Sequence, residues 1–365
     1  MTISLLLSAL VLVPQPQKVV ERGGVTDRVA VSQKTDPTIP PEGYRLSVTT
    51  NGVMIACSDV AGAFYAQETL KQLTTVDDKG GQQLPLVEIE DAPRYRWRGV
   101  HIDDCRHFFG KETLLGVLDL MAAHKLNRLH WHLTDDQGWR LDIPGCPELV
   151  KYGAVRPASV RHGETEATNG QPYGPFYYTE RDVREIIAYA AARHIQIVPE
   201  IELPGHVYAA LAAYPAFACF PEHLAKRTPR VQWGVEKDVL CIGNDEAIKF
   251  MEKVLDYVCQ IFPSDIVHIG GDILGPTLER VYMFDPCANV PESARRHVLG
   301  AQCNNWSEYT WNEYDLAWKM WPRTCALAEV LWTGEARPGY ADFKRRMTVH
   351  RSRLIAHHVN CAPLE

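Results

Sequence analysis

In the stretch DIVHIGGDILG, residues 265–275, an apolar run meets two glycines and then an acid, Asp272. A carboxylate at a strand end can orient a reacting group or move a proton, whereas Ile273 beside it can do neither. Other acids close similar runs: Asp103, Asp135 with Asp136, Glu200 with Glu202, and Glu308. Acids in this number, accompanied by tryptophans and without a phosphate loop, point to sugar chemistry, in which carboxylates flank a glycosidic bond. Trp139 and Trp306 are candidates to stack on a pyranose ring, and Arg106 can hold hydroxyls with its rigid fork of donors. Each residue taken singly also reads as a structural ion pair or a core aromatic. Gathered at strand ends, they favour the functional reading.

A second chemistry competes. His130 and His132 in HWH fall on one side of a strand, which is metal-ligand spacing, and His206 and His268 could complete a set. That pattern would fit a metal-dependent barrel hydrolase. Carboxylates with aromatics fit more of the residues, so no metal and no other cofactor is expected.

These side chains need elements to position them. Residues 1–92 read as a small α+β domain. YRLSVTT and GVMIACS are strands joined by the hairpin pair Asn51-Gly52, DVAGAFYAQETLKQL is a helix, and LPLVEIE is another strand. DAPRYRWRG marks the boundary with residues 93–365. There GVHIDD, LNRLHWHLTDD, IQIVPEIE, DIVHIGGD and HVLGAQCNNWSE read as strands. Helices alternate with them: one carrying Leu114, Leu115, Leu118 and Met121 on a face, one opening with a Thr179/Asp182 capping box, and one with Asn244 as N-cap.

Alternation of this kind gives a parallel sheet, and acids at strand after strand favour a (β/α)-barrel of TIM type, whose strand ends share one active face. A doubly wound fold is disfavoured because no glycine-rich fingerprint follows the first strand. The barrel is read as incomplete, with about five of eight strands recognisable. Only about two dozen residues separate Asp272 from His297, where three βα units need on the order of ninety. VYMF could supply one further short strand.

Composition narrows the partners. The 365 residues carry a formal net charge of −7 and 46% hydrophobic residues, which argues against nucleic acid and against disorder. Ten cysteines include no C-x-x-C pair, and Cys57, Cys219, Cys259 and Cys325 sit in apolar runs as candidate buried thiols. The apolar stretch from Ile3 to Val13 is too short to span a bilayer. It reads either as a signal segment, which would place the protein in a secreted, periplasmic or lysosome-like compartment, or as a first strand running into PQPQKV.

WRGVHIDDCRHFF, KLNRLHWHLTDDQGWR, VPEIELPGH, HIGGD and LGAQCNNWSEY…WPRTCALAEVLWT, taken in order, resemble the family-20 β-N-acetylhexosaminidases from about Pro93 onward. PQPQKV and the small N-terminal unit resemble that family's accessory domain in shortened form. The resemblance implies cleavage of a terminal N-acetylhexosamine from a carbohydrate by a retaining mechanism. The sugar's own acetamido oxygen is then the nucleophile, an exception to the two-carboxylate rule. In the family's HIGGDE, the Asp steadies the acetamido group and the Glu protonates the leaving oxygen. Asp272 matches the former, and Ile273 stands at the acid's position.

By the same resemblance Arg106 grips ring hydroxyls, and Asp135 with His206 forms a polar pair behind the acid. Glu202 stands where the family usually has Asp, while Trp306 and Glu308 match the pocket tryptophan and the carboxylate for the outer hydroxyls. The family's further pocket tryptophans and its Tyr/Asp acetamido pair have no counterpart before LERVYMFDP, as though a continuous piece were missing after Asp272. The expectation is a hexosaminidase by descent whose activity is lost or very weak. Its alternatives are a non-catalytic amino-sugar-binding protein and a defective truncated product. An open barrel would leave strand edges free for self-association.

Overall fold

The computed structural model describes residues 10–161, 164, 167–268, 277–288 and 290–364. The N-terminal part is built on a sheet of β1 (Lys18–Thr26), β2 (Val31–Thr35), β3 (Tyr44–Thr49), β4 (Gly52–Cys57), β5 (Thr75–Val76) and β6 (Gln82–Asp91). The strands run in the order β1-β6-β3-β4-β2, with β5 beside β6. Gly52 adopts φ 126°, which a side chain would resist, and so turns β3 into β4 at the Asn51-Gly52 hairpin. Along β3, Tyr44, Leu46 and Val48 are buried while Arg45 and Thr49 face water, the period of two expected of a half-covered sheet. The cover is α1 (Val60–Leu73), capped by Asp59, whose carboxylate accepts from Gly62 N. It packs Tyr65, Ala66 and Leu70 against Ile55, Val87 and Ile89.

Four longer strands form the second sheet: β7 (Trp97–Asp103), β8 (Arg128–Asp135), β10 (Gln196–Ile201) and β11 (Gly300–Asn305). All are parallel in the order β10-β8-β7-β11, and the short β9 (Gly138–Trp139) turns back on the end of β8. Around them lie α2 (Lys111–Ala123), α3 (Glu180–Ala191), α4 (Tyr208–Ala213) and α5 (Asp245–Ile261). They are followed by α6 (Leu278–Tyr282), α7 (Glu313–Met320), α8 (Arg323–Trp332) and α9 (Tyr340–Ala356). The Thr179/Asp182 capping box opens α3 and Asn244 caps α5, both by side-chain acceptance of backbone N–H groups.

β7, β8 and β10 are buried along almost their whole length, as strands covered on both faces must be. Their alternation then sorts the side chains. Val100, Ile102, Leu129, Trp131 and Ile197 join the core formed with Leu114, Leu118 and Met121 of α2. His101, His130 and His132 point the other way, onto one another and onto Trp306. The inner face of the sheet is therefore polar and the outer face apolar.

The architecture is the α/β barrel type with an N-terminal domain, and several local expectations need correction. The segment VYMF is no strand: Leu278–Tyr282 forms α6, capped by Thr277, and Tyr282 stacks on Phe343 with ring centroids 4.4 Å apart. Of the strand read in DIVHIGGD, the described part contributes one parallel bridge, His268 to Glu200, and residues 269–276 lie outside the described residues. That bridge sets a fifth position beside β10, so the described order is His268, β10, β8, β7, β11. Among the described residues between Thr277 and β11, the regular elements are helical, joined by turns and irregular chain. Cys57 and Cys325 are buried, but Cys219 and Cys259 are exposed. Residues 10–17 are not a strand, although Leu12 and Val13 are buried in the two cores. No described helix is long and apolar enough to cross a membrane.

One buried cation ties the N-terminal segment to the last helices. Arg346 on α9 donates to both oxygens of Glu329 on α8, at 2.8 and 2.6 Å, to Asp342 at 2.7 Å and to the Leu12 carbonyl at 2.9 Å. Glu329 in turn accepts from Gln15 N at 3.0 Å. Removing one partner of such a pair strands the other charge. Arg346→Met is therefore expected to lower the unfolding free energy by about 3–5 kcal/mol in urea titrations. Adding Glu329→Gln to it should recover a large share; a single variant as stable as the parent would refute this coupling.

Candidate active site

The rim is assembled by strand ends. β7 delivers Asp103 and, after it, Arg106; β8 delivers Asp135; the turn after β10 delivers Glu202; and the turn after β11 delivers Trp306 and Glu308. Arg106 sits at the centre. Its guanidinium lies 3.2 Å from Asp103, 2.8 Å from Asp135 and 3.9 Å from Glu308, and Nε donates to Gln137 at 3.0 Å. The same guanidinium lies over the half-buried Trp306 ring, 5.1 Å from its centroid. Asp103 closes the seam between β7 and β11 by accepting from Ser307 N at 2.9 Å.

His132 carries the network one strand further. Its Nδ1 is 3.0 Å from Asp103, while Nε2 is 3.3 Å from Asp135 and 3.4 Å from Glu202. Burial opposes charge on this imidazole, but the Cys105 thiol and the Asp103 carboxylate beside it raise its pKa well above the usual histidine value. Burial likewise opposes ionisation of Asp103, yet Arg106 and His132 hold its carboxyl well below the ordinary range. Glu308 behaves differently. Burial raises its pKa, and the more distant Arg106 compensates only in part.

His206 lies beside β8, with Nδ1 3.0 Å from Asp136 and 3.4 Å from Asp135. Asp136 also accepts from Tyr208 N at 3.1 Å, which anchors the start of α4. Deeper in the barrel Glu200 is fully buried and faces three imidazoles: His268 at 2.7 Å, His130 at 3.0 Å and His101 at 3.4 Å. Burial penalises its charge, but these hydrogen bonds hold it ionised far below the usual carboxylate value. His101 is pushed down to about 4 by burial.

Arg106, Asp135, Glu202, Trp306 and Glu308 are thus brought together on one rim with Asp103, and His206 reaches that rim through Asp135. Asp272 and Ile273 lie outside the described residues. Trp139 is not at the rim: it is buried in the core, and its Nε1 donates to the Leu141 carbonyl at 2.7 Å. The two histidines of HWH go to separate carboxylates, His130 to Glu200 and His132 to Asp103. Sets such as His132–Asp135–Glu202 and Asp135–Asp136–His206 have the compactness of metal sites. Their donors are already matched to opposite charges, which is how an ion-pair network also arranges itself.

Residue spacing did not reveal Gln137, His107, Trp233 and Trp311. Gln137 orients Arg106, and His107 packs on Trp311 and Trp233 with centroids 4.4 and 5.5 Å apart. Trp311 follows Trp306 by one turn and could have been suspected from the sequence, whereas Trp233 arrives from a loop that carries no periodic signal.

A parallel α/β sheet whose strand ends gather acids about an arginine defines a barrel protein of the glycoside-hydrolase class. The chain belongs to glycosyl hydrolase family 20. The family's catalytic-domain profile matches residues 95–277 and again 275–335, and its domain 2 profile matches residues 7–92. A β-hexosaminidase of Porphyromonas gingivalis is 32% identical over 434 aligned positions, covering 87% of this chain and 54% of the relative. One from Akkermansia muciniphila is 39% identical over 264 positions, covering 72% of this chain and 51% of the relative. The chain therefore spans about half the length of these curated relatives. A solved structure described as a β-N-acetylhexosaminidase superposes with TM-score 0.85 at 27% identity, covering 94% of this chain and 95% of that one. A Vibrio harveyi family-20 structure in complex with N-acetylglucosamine reaches 0.85 at 22% identity, over 97% of this chain and 78% of that one, a likeness of fold.

The pKa of His206 is raised from 6.5 to about 10 by hydrogen bonds to Asp135 and Asp136. A raised histidine pKa stabilises the fold fully below the unfolded value of 6.5 and loses that contribution as pH climbs to about 10. The stability gap between the parent and His206→Gln should therefore be widest in mildly acidic solution and close across that window in pH-resolved urea titrations. A gap that does not change with pH would show that His206 is not held as a cation.

Proposed function

We propose that this chain is a β-N-acetylhexosaminidase-type glycoside hydrolase by descent. In this reading it recognises a terminal N-acetylhexosamine, and its hydrolysis is lost or very weak. The observation that carries the proposal is the rim set itself. Arg106 is buried and held at three points, while Glu308, 3.9 Å away, is the loosest of its carboxylates. That separation lets a sugar hydroxyl insert, accepting from the guanidinium and donating to Glu308. Trp306 beside them offers an indole face to the ring.

The missing step is read from sequence. In the family's substrate-assisted route the acetamido oxygen attacks the anomeric carbon while an acid protonates the leaving oxygen. Asp272 is kept for the acetamido group, and Ile273 stands where the acid belongs. The family profile is consistent with a loss of sequence after Asp272, and the longer alignment with a loss at some point along the chain. The catalytic profile matches in two pieces that meet at residues 275–277. The 434 positions aligned with the Porphyromonas protein also exceed the 365 residues of this chain, so the relative carries residues that this chain lacks.

Two losses then act on rate. Removing a general acid costs ~10²–10⁴. Losing the groups that hold the acetamido oxygen in line forfeits an orientation effect that can reach ~7 kcal/mol or more. The second outweighs the first, because without it the internal nucleophile is not presented. On an activated aryl N-acetyl-β-glucosaminide, this chain and Ile273→Glu should both turn over no faster than an Asp272→Asn blank. Turnover by the unchanged chain well above the blank would overturn the proposal, and rescue by Ile273→Glu alone would replace lost sequence with a simple substitution.

Binding separates the enzyme-derived reading from that of a non-catalytic sugar-binding protein. Calorimetric binding of N-acetylglucosamine that Arg106→Met abolishes, without turnover, favours the latter. Among the described residues β11 pairs only with β7. Self-association through that edge is part of the same proposal, and a concentration-independent monomer in sedimentation would refute it.

A further inference from the structure

In the helical layer outside the sheet, a groove of about 1140 Å³ runs between α1, α2, α7 and α9. Two of its lining residues are histidines that meet inside the protein. His124 ends α2 and His350 lies on α9; they are 1% and 6% exposed, and their Nε2 atoms are 2.8 Å apart. The Sγ of Cys325, on α8 and wholly buried, is 3.3 Å from the same His124 Nε2. None of these residues takes part in the site described above.

The hydrogen-bond accounting at this point does not close. His124 Nδ1 is 2.7 Å from the Leu120 carbonyl, an oxygen that can only accept, so Nδ1 carries the proton and Nε2 offers one lone pair. Both the His350 N–H and the Cys325 S–H are aimed at that single lone pair. Satisfying one leaves the other unmatched, and His350 Nδ1 is itself buried without a hydrogen-bond partner. A cation resolves the contest at His124 Nε2. If His350 carries its proton on Nδ1 and Cys325 releases its own to solvent, two nitrogen lone pairs and a thiolate converge on one point.

The distances suit a transition metal. Tetrahedral zinc, with Zn–N near 2.0–2.1 Å and Zn–S near 2.3 Å, sets its nitrogen ligands about 3.3 Å apart and nitrogen from sulfur about 3.6 Å. The observed 2.8 and 3.3 Å need open by only a few tenths of an ångström, within reach of small side-chain rotations. Trp321 stacks on His124 at 4.8 Å and limits that ring's freedom, a form of pre-organisation. Groove water can fill the fourth position. The geometry points to a structural site for a borderline-soft divalent cation, zinc by ligand type, formed by His124, Cys325 and His350 and pinning α2, α8 and α9 together.

The test uses the full chain, freed of metal by chelation and dialysis. One equivalent of zinc should bind and raise the melting temperature by several degrees, and added chelator should reverse the shift. Cobalt in place of zinc should give the near-ultraviolet charge-transfer band of a thiolate–metal bond. Cys325→Ser should lose that band, while Cys105→Ser, which alters the thiol near His132, should keep it. Because a core variant can misfold, zinc protection of Cys325 from alkylation in the unaltered chain, read by peptide mass mapping, gives a second readout. Absence of stoichiometric binding, a band lost with Cys105→Ser instead, or unprotected Cys325 would each overturn the proposal.

Discussion

A guanidinium taken almost wholly out of water must be surrounded by opposite charge, and Arg106 imposes that demand on the barrel rim. It is 7% exposed and faces Asp103, Asp135 and Glu308, which come from the ends of three different strands. Leaving any of these charges unpaired would cost several kcal/mol. The ends of β7, β8 and β11 are thereby held to one rim, and the parallel order β10-β8-β7-β11 is the arrangement that lets them meet. Glu202, reached through His132, extends the same constraint to the fourth strand.

The polar inner face follows from this. With His101, His130 and His132 on alternate positions of β7 and β8, the sheet cannot be filled with hydrocarbon on that side. Glu200 supplies the compensating charge, and its contact with His268 is the described link to the chain leading toward Asp272. Support and chemistry are therefore continuous: the buried glutamate and its histidines form the floor beneath the rim on which Arg106 and Trp306 stand.

Much of this was legible in the sequence because its signals are local. Hydrophobic period, the Asn51-Gly52 turn, the Thr179 and Asn244 caps and the acids closing each strand all act within a few residues of themselves. The signals that failed depend on tertiary surroundings. Trp139 has the type and position of a sugar platform, yet its N–H finds the Leu141 carbonyl and the ring is absorbed into the core. VYMF has strand-forming residues, but Thr277 caps a helix there and Tyr282 packs on Phe343. Cys219 and Cys259 lie in apolar runs and still face solvent, because a run names a neighbourhood and not a side. His132 was visible as a possible metal ligand; its role between Asp103, Asp135 and Glu202 depends on three segments meeting, which spacing along one strand cannot encode.

On the proposed reading, the division of labour along the chain would let recognition persist without turnover. Arg106, Asp135, Trp306 and Glu308 come from β7, β8 and the turn after β11, which are contiguous in the sheet and braced by buried ion pairs. The proton donor and the acetamido walls, as the family resemblance places them, belong to the chain after His268. Change confined to the stretch between His268 and β11 leaves the Arg106 cluster with all of its partners, because Asp103, Asp135 and Gln137 precede that stretch and Trp306 and Glu308 follow it. The cluster is also held for a physical reason independent of catalysis: without Arg106, the buried Asp103 and Asp135 carboxylates would lose their guanidinium partner.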